Sequence, residues 1–192
     1  VGLIIEGGRG NGYSAGVNDE NQLLVRAITE SVEHHVNVSE GLAFSLPIIV
    51  SANAASDCVF YMKNTDDTTV TIEGITLGAT NVTADDSVYF KIGDTGTRDS
   101  ATSVTPVNLN ASSGNIATGD FETGVHLNDG TLDGGLEFER LVFAGVTDRT
   151  SSNFNFPQDI VIPKNGTFTI YIGGSGTGTY YITLNFHYHE NE

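Results

Sequence analysis

The run Tyr180-Tyr181-Ile182-Thr183-Leu184-Asn185-Phe186-His187-Tyr188 constrains the fold more than any other part of the chain. Side chains of a strand point to alternate faces, so Tyr180, Ile182, Leu184, Phe186 and Tyr188 share one face while Thr183, Asn185 and His187 share the other. Only a half-buried strand satisfies that pattern. Asp159 to Pro163 and Thr167 to Ile172 repeat it between glycine-rich turns, which predicts that this last strand is tied into the body of a β-sandwich.

More strands are expected at Gln22 to Glu30, Leu42 to Val50, Asp57 to Lys63, Thr69 to Leu77, Ser87 to Ile92 and Leu136 to Ala144. Turn chemistry separates them, as in Ser-Glu-Gly at 39–41, Asn-Thr-Asp-Asp at 64–67 and Asp-Asp-Ser at 85–87. Residues 93–135 are rich in Gly, Asn, Asp, Ser and Thr and read as a long irregular excursion, of a kind that is usually functional or mobile. Thr147 to Asn155 reads as loop, and Gly173-Gly174-Ser175-Gly176-Thr177-Gly178 as a hairpin connection, since it lacks the Lys and the following helix of a phosphate loop.

The beginning of the chain differs. Gly7-Gly8-Arg9-Gly10-Asn11-Gly12-Tyr13-Ser14-Ala15-Gly16 holds five glycines in ten positions, too many for a regular element. Residues 1–20 are therefore expected to be an extended arm, followed by a sandwich over 21–192. Arg9 and Tyr13 are its adhesive residues, because both offer contact area and hydrogen bonds to a partner.

The 192 residues suffice for a real core, and the single cysteine, Cys58, excludes an intrachain disulfide. It lies in the apolar run Cys58 to Met62 and reads as a buried, inert thiol. Eight Lys and Arg against 24 Asp and Glu give a formal charge of −16, with the cations spread along the sequence. That balance argues against direct nucleic-acid binding, which needs clustered cations. Neither a membrane span nor a signal peptide is expected.

Motifs that carry chemistry are sparse. Gly12-Tyr13-Ser14-Ala15-Gly16 has the spacing of a hydrolase nucleophile elbow, but lacks the strand before it and the helix after it. His187 and His189 sit two apart on a strand, as zinc or copper ligands do, and need a third ligand such as His126 or an acid; solvent or interface histidines are the plainer reading. Asn128 to Gly134 is a loose calcium loop without the closing Glu, and Asp66-Asp67 and Asp85-Asp86 read as turn residues. Asn37, Asn81, Asn110 and Asn165 begin N-x-[ST] triplets, with nothing to support glycosylation. Trp is absent and no carboxylate pair stands out for glycoside hydrolysis, while Tyr13, Tyr180 and Tyr181 are the rings that could stack on a sugar. No catalytic residue, cofactor or metal site is expected.

Three segments together resemble virion proteins that decorate or cement the heads of tailed bacteriophages. They are the arm running into Val17 to Ser31; Gly41-Leu42-Ala43-Phe44 followed by Phe60 to Asp67; and Thr105-Pro106-Val107-Asn108-Leu109-Asn110 with Ser112-Ser113-Gly114. The resemblance implies a jelly-roll-like β-sandwich, a homotrimer on the outer surface of the capsid, the major capsid protein as partner, and an arm that binds the shell through Arg9, Asn11 and Tyr13. It supplies no catalytic residues. The alternative is a phage fibre or receptor-binding head recognising cell-surface carbohydrate, and a third class is a polysaccharide-acting enzyme.

Overall fold

The computed structural model describes residues 35–52, 56–82, 85–143, 150–174 and 177–189. The arm, the expected strand Gln22 to Glu30, and Arg9, Asn11 and Tyr13 lie outside them. Eleven strands are described: β1 (Ala43–Ala52), β2 (Asp57–Asn64), β3 (Thr69–Thr80), β4 (Asp86–Ile92), β5 (Thr102–Ser103), β6 (Val107–Asn108), β7 (Gly119–Thr123), β8 (Leu136–Phe143), β9 (Thr150–Ile162), β10 (Thr167–Gly174) and β11 (Gly178–His189). They form a five-stranded sheet, β6-β1-β11-β3-β9, and a six-stranded sheet, β5-β7-β2-β10-β4-β8.

The long strands pair as one folded ribbon. β1 lies antiparallel to β11, β2 to β10, β3 to β9 and β4 to β8, each pair nested inside the one before. β11 also meets β3, and β10 meets β4, so the ribbon is wound into two four-stranded layers, β1-β11-β3-β9 and β2-β10-β4-β8. That is the winding of a jelly roll. Residues 93–135 fill the bend of the ribbon between β4 and β8, and their short strands extend both sheets at the far side.

Register follows from burial. Phe44, Leu46, Ile48 and Val50 of β1 stand opposite Phe186, Leu184, Ile182 and Tyr180 of β11, and all eight are buried. A slip of one residue would turn the four inward residues of the slipping strand to solvent. Between the layers, Phe90 of β4 meets the rings of Phe138, Phe154, Phe156 and Phe168, at centroid distances of 5.6 to 6.3 Å. β8 and β9 therefore face each other across one flank of the sandwich, with Phe138 and Phe156 5.7 Å apart.

Two sequence expectations are corrected. Thr147 to Asn155 was expected as loop, yet β9 begins at Thr150: the Ser- and Asn-rich stretch reads as a turn, but it pairs with β3 as an edge strand, Phe154 opposite Ile75, and Phe154 and Phe156 pack their rings against Phe90. Gly173 to Gly178 is not a hairpin, because β10 and β11 belong to opposite sheets.

The excursion is tightly fixed. Asn108 Nδ2 donates to the Gly41 carbonyl at 2.8 Å, Asn110 Nδ2 to that of Asn37 at 2.9 Å and Asn115 Nδ2 to that of Glu40 at 2.8 Å. Amides of one segment thus bond the carbonyls of Asn37 and Glu40 in the short helical turn Val36–Glu40 and that of its cap, Gly41. Gly41 has φ +65°, and a β-carbon there would come within 2.6 Å of Ser113 Cβ, so both its backbone and its surroundings demand glycine.

Candidate functional site

The outer face of the six-stranded sheet is the most elaborate polar surface among the described residues. Tyr61, Tyr89 and Tyr171 project from β2, β4 and β10, and each carries a cation on its ring: Arg98 at 4.2 Å, Arg140 at 4.3 Å and Lys91 at 4.4 Å. Strand alternation puts Lys63 on the same face. Cations scattered in sequence are thus gathered in space. Arg98 closes on Glu122 through two hydrogen bonds of 2.5 and 3.0 Å, and Arg140 on Glu137 through two of 2.7 and 2.6 Å, so the row carries little net positive charge.

Asp94 pins the excursion to this face. Its side chain is wholly buried and accepts from Thr169 Oγ1 at 2.5 Å, Tyr171 Oη at 3.1 Å and the Gly135 amide at 2.7 Å. Leu127 and Leu132 then cover Cys58, whose thiol burial pushes up to about 12, with the Asp94 charge adding to the effect. Beside them lies a polar cleft of about 570 Å³ lined by Ser56, Lys91, Asn128, Thr131, Asp133 and Tyr171. The loose calcium loop lines its rim through Asn128, Thr131 and Asp133. Asn128 receives the Cys58 amide at 2.7 Å and donates to the Ser56 carbonyl at 3.0 Å.

On the outer face of the other sheet, β11 places His187 and His189 side by side. His187 is 3% exposed; its Nδ1 lies 2.6 Å from Glu73 Oε1 and its Nε2 2.7 Å from His189 Nε2. Glu73 is the residue left over where β3 bulges, since Ile72 and Gly74 pair with consecutive residues of β11. His126 is not with them: its Nδ1 contacts Asp57 Oδ1 at 2.6 Å on the other sheet. No group of three or more His, Cys, Asp or Glu that could hold a metal occurs among the described residues.

A third surface is apolar. β8 and β9 are the outermost strands on their flank, and Leu136 (75% exposed), Val142, Val161 and Ile92 stand open around it. A groove of about 380 Å³ runs between Ile92, Leu136, Val161 and Pro163.

Several sequence expectations change here. Tyr180, offered for sugar stacking, is 1% exposed and gives its hydroxyl to Asp86. Asp86 is accordingly no turn residue but a buried acceptor. Asp66 keeps the turn role, receiving the Thr68 amide and hydroxyl at 2.9 Å each, and these bonds hold its carboxyl below the usual range. Asp94 and Glu73 carry no signal in the sequence, because their partners arrive from distant strands.

No protein-family model matches the sequence, and no curated protein does. Among solved structures, one of the infectious bursal disease virus Gx strain aligns at 13% identity over 78% of this chain and 40% of that chain, with a TM-score of 0.18. The VP2 subviral particle of infectious bursal disease virus aligns at 12% identity over 77% of this chain and 42% of that one, with a TM-score of 0.12. The chain thus spans about two fifths of the length of either, and scores of this size fall short of a shared fold.

Proposed function

We propose that this chain is a non-enzymatic structural protein of a virus particle, a decoration or cement protein on the outside of a phage head. The observation that carries the reading is the apolar flank. On a chain of charge −16, Leu136 of β8, Val161 of β9 and Ile92 of the adjoining β4 line one open apolar groove, with Val142 exposed further along β8, where a neighbouring surface would bury them. Fully burying an exposed side chain of this kind contributes about 1.5–3 kcal/mol, which offsets part of the cost of association. A protein that binds assembled shell and not its free subunits stabilises the shell by mass action. Trimerisation and the glycine-rich arm, with Arg9, Asn11 and Tyr13, would multiply weak contacts with the major capsid protein.

The polar cleft beside Lys91 and Tyr171 favours the second reading, a receptor-binding head that takes cell-surface carbohydrate. Against it, Tyr89 and Tyr171 are buried beneath Arg140 and Lys91 and offer no ring to a sugar. Co-sedimentation separates the two. A cement protein pellets with purified capsids and loses that binding when residues 1–20 are deleted; a protein that pellets with host cells and ignores the deletion is a receptor binder.

A further inference from the structure

We propose that His187 and His189 chelate a divalent transition-metal ion of the zinc or copper type, with Glu73 as the positioning residue behind His187. The two Nε2 atoms converge at 2.7 Å with their rings nearly perpendicular, at 73°. Two neutral imidazoles so placed share a single hydrogen between them. The Glu73 carboxylate accepts a hydrogen bond from His187 Nδ1–H, so in the neutral ring Nε2 keeps its bare lone pair; the one hydrogen of the contact then belongs to His189. A carboxylate behind an imidazole is the arrangement that fixes ring orientation and tautomer and raises basicity in metal-ligating histidines. The β3 bulge that frees Glu73 to reach His187 gives this geometry its own backbone device.

A dication takes the place of the shared hydrogen, and His189 carries its proton on Nδ1 instead. With metal–nitrogen bonds of about 2.0–2.1 Å at a tetrahedral angle, the two nitrogens stand roughly 3.3 Å apart, so the pair must open from 2.7 Å by about 0.6 Å. His189 is only partly buried and lies at the end of β11, where a small rotation of its ring provides that space. His187 need not move. Two imidazoles and no third side chain make an open site, whose other positions go to water or to a donor from a neighbouring molecule.

The test is a titration of the purified chain with Zn²⁺ or Cu²⁺ at pH 7.5, followed by calorimetry and by the ¹⁵N resonances of the histidine rings. One saturable equivalent is expected, shifting Nε2 of both His187 and His189. His189→Ala should weaken it at least tenfold, Glu73→Gln by about 10–100-fold, and His126→Ala not at all. Circular dichroism establishes that each variant is folded. Absence of a saturable site overturns the proposal, as do equal binding by His189→Ala and ring resonances of His187 and His189 that stay put in the wild type. The last outcome needs no variant and means that the pair shares a proton only.

Discussion

The Tyr180 hydroxyl of β11 donates to the Asp86 carboxylate of β4, tying the five-stranded sheet to the six-stranded sheet through a buried charge-assisted hydrogen bond. The other Asp86 oxygen accepts the Ser87 amide at 2.8 Å. Tyr180→Phe keeps the ring and strips one donor from a carboxylate that is 3% exposed. A loss of about 1–3 kcal/mol is expected in urea unfolding, with an unchanged m-value. An unchanged midpoint would mean that the bond contributes nothing to joining the layers.

Alkaline pH should weaken the fold. Burial is the leading cause that raises the pKa of Cys58, to about 12, and those of Tyr171, Tyr180 and Tyr188. Groups whose pKa is higher folded than unfolded contribute stability that is fully present below the unfolded pKa and lost as pH climbs through the folded one. The urea midpoint should therefore hold steady near neutrality and fall from about pH 9 upward, where thiol and phenol begin to ionise in the unfolded chain. Cys58→Ala should delay the onset. The same burial predicts that Cys58 in the folded protein resists iodoacetamide at pH 8 and reacts once unfolded.

Asp94 is the anchor of residues 93–135. Asp94→Ala removes the common acceptor of Thr169, Tyr171 and Gly135, and should cost more than about 2 kcal/mol. Hydrogen exchange localises the effect. Amides around Leu127 to Asp133 should lose protection first, while the β1·β11 ladder keeps it; uniform loss over both sheets would show that the excursion is no separate layer.

Gly41→Ala should destabilise by about 1–3 kcal/mol, because a side chain at φ +65° is strained and its β-carbon meets Ser113. Thermal unfolding measures it. Ser113→Gly in the same chain should recover the steric part and leave the backbone part, and full recovery would assign the whole cost to Ser113.

Alternation or an apolar run between turn residues made β1, β2, β3, β4, β10 and β11 legible in the sequence, although outward residues such as Ile49, Tyr61 and Tyr171 are not all polar. Asp159 to Pro163 made the end of β9 legible, but its first half escaped because it is Ser and Asn, the composition of a turn, although Phe154 and Phe156 two apart already marked an inward face. Buried carboxylates are the other blind spot. Asp86 and Asp94 look like turn acids until β10 and β11 bring Tyr171 and Tyr180 against them, and Glu73 meets His187 only through the register of β3 on β11. The spacing of His187 and His189 was visible, whereas the carboxylate behind them was not.

Two sequence segments far apart in the chain, Gly41 to Phe44 and Thr105 to Asn110, also meet in space. Asn108 of β6 pairs with Phe44 and reaches the Gly41 carbonyl, so two motifs far apart in sequence form one clasp.

The most direct measurement of a virion role is cryo-EM of the purified particle. Density fitting the wound β-sandwich at symmetric positions on the outer face of the head, with the β8 and β9 flank or the arm against the shell, is the expected result. A head bare of it, with the same sandwich at the tip of a tail fibre, would contradict the cement reading and leave the receptor-binding one.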